Sequence, residues 1–262
     1  MATNEVPMTA AETRKKFYGG YYDERHVAMP LGHLIGIMQQ ASSNDMHYRG
    51  FRCNKHPCDA WAIQEIIYET QPQVIIEIGR QDGGSALFLR DLLKAAVKNW
   101  EGVFSIDILP AVDFSVGINM TDEGIVQFQG DSENLDIIAK VARGCVEYRT
   151  MVIDDCSHTY ENVMANLKNY GPLVSEGCYY IVEDMIINHG LFHARHAQEG
   201  NDLMAAVQDF MAGGGSKRFE VERSREKWYI TSNPGGYLRR LSVERTTWEP
   251  ILGRSYPLPS DY

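Results

Sequence analysis

Between Gln73 and Asp184 the chain repeatedly sets a short apolar run against a longer amphipathic stretch, and that alternation constrains the fold more than any other feature. The runs are "QVIIEI", "GVFSIDI", "IVQFQ", "RTMVIDD" and "CYYIVED". Each is strand-length, rich in β-branched residues and without the alternation of a half-exposed strand. Helical patterns lie between most of them: "GSALFLRDLLKAAVKNW", "ENLDIIAKVARG" and "HTYENVMANLKNYGPL". Parallel strands need crossover connections, so the pattern predicts βαβ units in a doubly wound, mostly parallel α/β sheet. "FEVERSREKWYITS" adds two antiparallel edge strands, for seven in all. Upstream, "DAWAIQEIIYETQP" predicts an amphipathic helix capped by Asp59 and stopped by Pro72, and a further helix is expected over Asn201–Ala212.

The rest of the chain divides around this body. Residues 1–55 form a leader, helical where Leu31, Leu34, Ile35 and Met38 recur. Residues 56–245 form the main domain, and 246–262 a tail containing Pro250, Pro257 and Pro259. With 35 acidic against 25 basic residues and a formal charge of -10, the surface lacks the positive footprint that nucleic acid requires. No apolar stretch approaches the length of a membrane span, and the first residues carry no hydrophobic signal segment. The five cysteines (Cys53, Cys58, Cys145, Cys156, Cys178) include no CxxC pair and read as reduced thiols of a cytoplasmic protein.

Ligands of doubly wound sheets bind outside the carboxyl ends of the strands. The first strand ends "EIGRQDGGSALF", with glycines where backbone must approach a ligand closely. The G-x-x-x-G-G spacing is neither the dinucleotide fingerprint nor a P-loop. Glu77, two residues before Gly79, suits the cationic amino-acid portion of S-adenosylmethionine. Asp107 ends the next strand, placed for ribose hydroxyls. Asp131 and Ser132, in "GDS" after the third strand, stand where an adenine edge can be held. Gly83 and Ser85, at the glycine turn, complete the expected cofactor set.

The fourth and fifth strands end in acids: Asp154 and Asp155, then Glu183 and Asp184. Side by side these carboxylates would repel, and a hard divalent cation (Mg²⁺, Ca²⁺ or Mn²⁺) relieves that repulsion with oxygen ligands. His158, at the start of the following helix, is a candidate general base; the alternative is that it orients Asp155 or a backbone carbonyl. His189, His193 and His196 lie in an aperiodic stretch, Ile186–Gly200, that reads as a lid over the acceptor.

"QVIIEIGRQDGGSALF", "VIDDCSHTYENVMANLKNYGPLVSEGCYYIVED" and "TSNPGGYLRRL" together resemble the cephalosporin hydroxylase and rhamnosyl O-methyltransferase family. "KHPCDAWAIQEII" is similar to that family's Lys-x-Pro-x-Asp-x-Trp segment, so the resemblance spans about Lys55 to Leu241. It implies a seven-stranded class I methyltransferase sheet with its last strand antiparallel and helical additions at the N-terminus. It also implies S-adenosylmethionine as donor and a divalent metal, usually Mg²⁺, held by Asp155, Glu183 and Asp184, with Asp154 in support. Ser157 stands where related sugar methyltransferases carry an aspartate base, which leaves His158 as the candidate. The expected activity is metal-dependent O-methylation of a small-molecule hydroxyl, plausibly on a sugar in natural-product or antibiotic biosynthesis, by a cytoplasmic homo-oligomer. The rival readings are a natural-product hydroxylase, which lacks a 2-His-1-carboxylate pattern here, and a non-catalytic cofactor-binding subunit.

Overall fold

The computed structural model describes residues 31–116, 123–188 and 202–242. In chain order these form α1 (Leu31–Asp45), the short strands β1 (His47–Tyr48) and β2 (Phe51–Arg52), α2 (Pro57–Thr70), β3 (Val74–Ile78) and α3 (Gly84–Ala96). There follow β4 (Gly102–Asp107), β5 (Ile125–Gln129), α4 (Leu135–Cys145), β6 (Thr150–Asp154), α5 (Tyr160–Tyr170), β7 (Tyr179–Val182), α6 (Leu203–Ala212), β8 (Phe219–Val221) and β9 (Tyr237–Arg240). Seven strands join in the order β5-β4-β3-β6-β7-β9-β8. The first five are parallel, and β9 is antiparallel to both of its neighbours. This is the mostly parallel seven-stranded sheet expected from the sequence.

The strand composition follows from burial. All residues of β3, β6 and β7 are buried, so neither face of these central strands meets water and no polar alternation is left to read. α2 contacts α3, while α5 contacts both α4 and α6. Strand order reverses direction between β3 and β6, which opens a crevice at their carboxyl ends.

Several helix ends differ from the expected ones. α2 begins at Pro57, whose fixed φ and missing N–H suit the first helical position. Asp59 is therefore inside the first turn and not its cap. α5 begins at Tyr160 with Thr159 as cap, its hydroxyl accepting from Asn162 N at 3.3 Å, so His158 precedes the helix. α6 begins at Leu203, where Asp202 accepts from Ala205 N at 2.8 Å.

The second edge strand also falls elsewhere. Residues 223–229 make two short 3₁₀ turns, and the strand that inserts between β7 and β8 is Tyr237–Arg240. The reason lies at Thr231 and Ser232, whose polar groups turn to Asp59 and not to a ladder. Asp59 Oδ1 accepts from Thr231 Oγ1 at 2.5 Å and Tyr237 Oη at 2.9 Å, and Oδ2 accepts from Ser232 N at 2.7 Å. This network, buried on all sides, ties the start of α2 to the start of β9.

Residues 47–55, assigned to the leader from sequence, pack against the sheet domain. Tyr48 meets Phe88 edge-on, and Phe51 meets Phe114 likewise. A Cβ at Gly84 would stand 2.2 Å from the Arg52 carbonyl oxygen, so only glycine admits this hairpin over α3. All five cysteines are free, and burial pushes the Cys145 thiol up to about 11. Among the described residues no helix is long and apolar enough to cross a membrane.

Asp59→Ala should strand two hydroxyls and one backbone N–H in the interior. Urea denaturation is expected to show a loss of about 3–5 kcal/mol, the range for breaking a buried charged network. A loss below about 1 kcal/mol would mean that the network contributes little.

Candidate functional site

A cavity of about 530 Å³ opens at the carboxyl ends of the parallel strands. Gly79, Arg80 and Gln81 line it after β3, Asp107 to Leu109 from the last residue of β4 onward, Gly130 to Ser132 after β5, and Asp155 to His158 after β6. Asp184 joins them after β7, and Arg52 and Asn54 enter from the N-terminal hairpin.

Gly79 explains how these strand ends come so close. Its φ is +94°, and a Cβ there would stand 1.9 Å from the Asp155 carbonyl oxygen. Any side chain would push β3 and β6 apart at the crevice. Asp107 is held by backbone: Oδ2 accepts from Arg80 N and Gln81 N, both at 2.7 Å, and Oδ1 accepts from Leu109 N at 2.8 Å. Three of its roughly four acceptor positions are thereby used, so the carboxylate is fixed with capacity left on Oδ1 for a ligand hydroxyl. Arg80 completes that turn, its Nη2 donating to the carbonyls of Leu109 (3.1 Å) and Pro110 (2.8 Å). Asp131 Oδ1 accepts from Glu133 N at 2.9 Å, and Ser132 Oγ accepts from Asn162 Nδ2 at 3.4 Å. Ser85 lines the cavity as well.

Two residues of the expected cofactor set do not line it. Glu77 is fully buried, with Oε2 accepting from Ser105 Oγ at 2.7 Å. Burial raises its carboxyl, opposed by Lys55 and by the hydroxyls of Ser85 and Ser105. Gly83 adopts φ +84° as the residue before α3, and a Cβ would meet the Phe114 ring at 2.9 Å. Both therefore shape the cavity from behind its wall.

The four strand-end acids divide by role. Asp154, the last residue of β6, turns into the core, where Oδ1 accepts from Asn166 Nδ2 at 3.2 Å and Oδ2 from Tyr180 Oη at 2.7 Å. Burial raises it to about 6, against hydrogen bonds that include those from Tyr180 and Asn166. Asp155 faces the cavity, its Oδ1 3.9 Å from His158 Nε2. Asp184 Oδ2 stands 3.6 Å from the same nitrogen. His158 and Asp184 are both left-handed, at φ +57° and +55°. Such backbone is costly for non-glycine residues and is concentrated at functional sites.

Glu183 is buried behind this rim, where it meets Asp155 and Lys55. Sequence reasoning left the acids without a countercharge from the chain; the structure supplies one. Lys55 Nζ is buried and donates to Asp155 Oδ2 at 3.1 Å and to Glu183 Oε2. Burial works against the charged ammonium, but Asp155, Glu183 and Glu77 outweigh it and hold Lys55 well above its ordinary value. Burial likewise drives Asp155 up, but Lys55 and His158 prevail and hold it below the usual carboxylate range. Glu183 is raised, by burial first and then by Asp155, with Lys55 opposing. The sequence pattern does not reveal this pairing, because Lys55 is 100 residues from Asp155 and 128 from Glu183. The available signal was its place at the head of Lys-x-Pro-x-Asp-x-Trp.

Among the described residues, Asp155, His158 and Asp184 present ligand atoms within 4.8 Å of one another. The two carboxylates on this open rim fit a divalent cation, with the His158 imidazole beside them. Of the expected set Asp155, Glu183 and Asp184, the two aspartates fall in this cluster. The lid histidines His189, His193 and His196 lie outside the described residues.

Residues 40–241 match the family model described as rhamnosyl O-methyltransferase/CmcI. The chain belongs to that family. A rhamnosyl O-methyltransferase of Mycobacterium leprae (strain TN) is 31% identical over 200 residues, covering 75% of this chain and 84% of the relative. One from Mycobacterium tuberculosis (strain ATCC 25618 / H37Rv) is 27% identical over 195 residues, 74% and 77% of the two chains. Among solved structures, a CmcI protein with magnesium and S-adenosylmethionine superposes at a TM-score of 0.53 and 24% identity, covering 75% of this chain and 77% of its own. An apo CmcI structure gives the same TM-score and identity over 76% and 77%. The enzyme is thus an S-adenosylmethionine-dependent O-methyltransferase of this family, which favours methyl transfer over the hydroxylase reading.

Gly79→Ala should cost at least about 2 kcal/mol in denaturant melts through backbone strain alone. It should also abolish measurable S-adenosylhomocysteine binding by calorimetry, because the β3 and β6 ends separate. Wild-type affinity in the alanine variant would show that the close approach is dispensable.

Proposed function

We propose that the protein methylates a hydroxyl of a small molecule, a sugar hydroxyl of a glycosylated natural product, with a divalent cation at the acid rim. The single observation that carries this reading is one continuous cavity with Asp107 and Asp131 on one side and Asp155, His158 and Asp184 on the other. The rhamnosyl O-methyltransferase names of the relatives favour a sugar acceptor.

In this reading Gly79, Ser85, Asp107, Asp131 and Ser132 hold S-adenosylmethionine, with Glu77 and Gly83 supporting the turn. Backbone hydrogen bonds keep Asp107 oriented before the donor arrives, so little ordering remains to be done on binding. Asp155 and Asp184 are the principal carboxylates for Mg²⁺, with Glu183 behind them on Lys55. A bound divalent cation supplies charge that lowers the pKa of an acceptor hydroxyl. His158 Nε2, on the same rim, takes the acceptor proton, and Asp155 and Asp184 stabilise the imidazolium that results. The chain thereby fixes the acceptor oxygen, aligns it with the donor and removes its proton, which are the requirements of methyl transfer to oxygen.

EDTA should silence turnover on a glycosylated acceptor and Mg²⁺ should restore it; full activity in chelator with no residual ion would refute the cation. Asp155→Ala should abolish cation-supported turnover while leaving S-adenosylhomocysteine affinity nearly intact in calorimetry.

His158→Ala should lower kcat by roughly 10²–10⁴ while cation binding persists, the usual contribution of a general base. A loss of only a few-fold would assign proton removal to another group.

A further inference from the structure

The Lys-x-Pro-x-Asp-x-Trp segment has, so far, only a charge and a place in the packing. Lys55 Nζ reaches the carboxylates of Asp155 and Glu183 from a position that is 3% exposed. It takes Oδ2 of Asp155 and leaves Oδ1 toward His158. Four residues on, inside the first turn of α2, Asp59 grips Thr231 and Ser232. The next residue, Asn233, is 1% exposed and accepts from the backbone N of Asp184 through Oδ1 at 3.0 Å. That contact is made to a residue in left-handed backbone, φ +55°, which needs external support to persist. The Ser232 carbonyl also accepts from Ile186 N at 2.9 Å, so the 231–233 turn holds the chain on the far side of Asp184 as well.

We propose that residues 55–59 and the 231–233 turn form one brace that positions the cation-binding rim. Lys55 orients Asp155 and Glu183 directly, and Asn233, anchored through Asp59, fixes Asp184. The segment touches neither donor nor acceptor in this scheme; Lys55 and Asn233 are positioning residues. The geometry gives a reason for both polar positions of the segment at their spacing of four. Lys55 stands two residues before α2 and is aimed at the ends of β6 and β7, while Asp59, in the first turn of α2, is aimed at the start of β9. The inference rests on the cation reading above, and its test separates the two.

Free Mn²⁺ measured by electron paramagnetic resonance gives the affinity of the rim without any acceptor. Wild type, Lys55→Met and Asn233→Ala are titrated with Mn²⁺, and each is titrated separately with S-adenosylhomocysteine by calorimetry. Each variant should bind Mn²⁺ about 10- to 100-fold more weakly, the usual effect of losing a residue that orients metal ligands. S-adenosylhomocysteine affinity should stay within about twofold, because Asp107 is held by the backbone of residues 80, 81 and 109 and not by the brace. The bound Mn²⁺ line shape should change in both variants, which a mere loss of stability would not produce. Cooperative thermal melts establish that each variant is folded; if Lys55→Met is not, Asn233→Ala makes the same comparison from a different element. Unchanged or tighter Mn²⁺ binding in a folded variant would overturn the brace and leave the cation reading standing. Absence of Mn²⁺ binding by wild type would overturn both.

Discussion

Everything at the functional rim depends on a lysine ammonium held between two carboxylates inside the protein. Lys55 is almost without solvent, as is Glu183, and neither could be buried alone at acceptable cost. Each makes the other tolerable, and Asp155 completes the arrangement from the cavity wall. Removing one member of such a group typically costs about 3–5 kcal/mol, because the charge left behind has no partner. The N-terminal segment that carries Lys55 is therefore part of the enzyme body. The packing of Phe51 on Phe114 and of the Arg52 carbonyl on Gly84 agrees with that.

Two kinds of acid follow from this arrangement. Asp154 and Glu77 are buried and hydrogen-bonded by tyrosine, asparagine or serine, so they are held in the interior and do not line the cavity. Asp107, Asp155 and Asp184 face the cavity with one side of each carboxylate or its backbone already fixed. Fixed polar groups at a strand-end crevice are what an enzyme needs when it must align two substrates, since little reorganisation remains at the moment of reaction. The parallel sheet creates the crevice, and Gly79 brings its two walls together.

The sheet and most of the rim were legible in the sequence because burial on both faces leaves strands as unbroken apolar runs, and their last residues stand out as polar. "VIIEIG" and "MVIDD" show both features at once. Position along a strand is less informative about direction: Glu77 precedes Ile78 and so faces the interior, as Asp154 does before Asp155. Tyr237–Arg240 is hard to read as a strand because "TSNPGGYLRR" carries turn residues, and its first two residues bond to an aspartate 172 and 173 positions away. Lys55 is hard to read for the same reason. Long-range charge pairing leaves no periodic trace, and only the recurring segment around it marked the place.

The most direct test of the account is a crystal structure with S-adenosylhomocysteine and Mn²⁺, located by its anomalous scattering. The account predicts the adenosine beside Asp107 and Asp131, and a manganese peak with carboxylate oxygens of Asp155 and Asp184 at about 2.0–2.4 Å, the range of hard-cation ligation. Lys55 should remain on Glu183. A cofactor outside this cavity, or manganese bound away from Asp155 and Asp184, would contradict it.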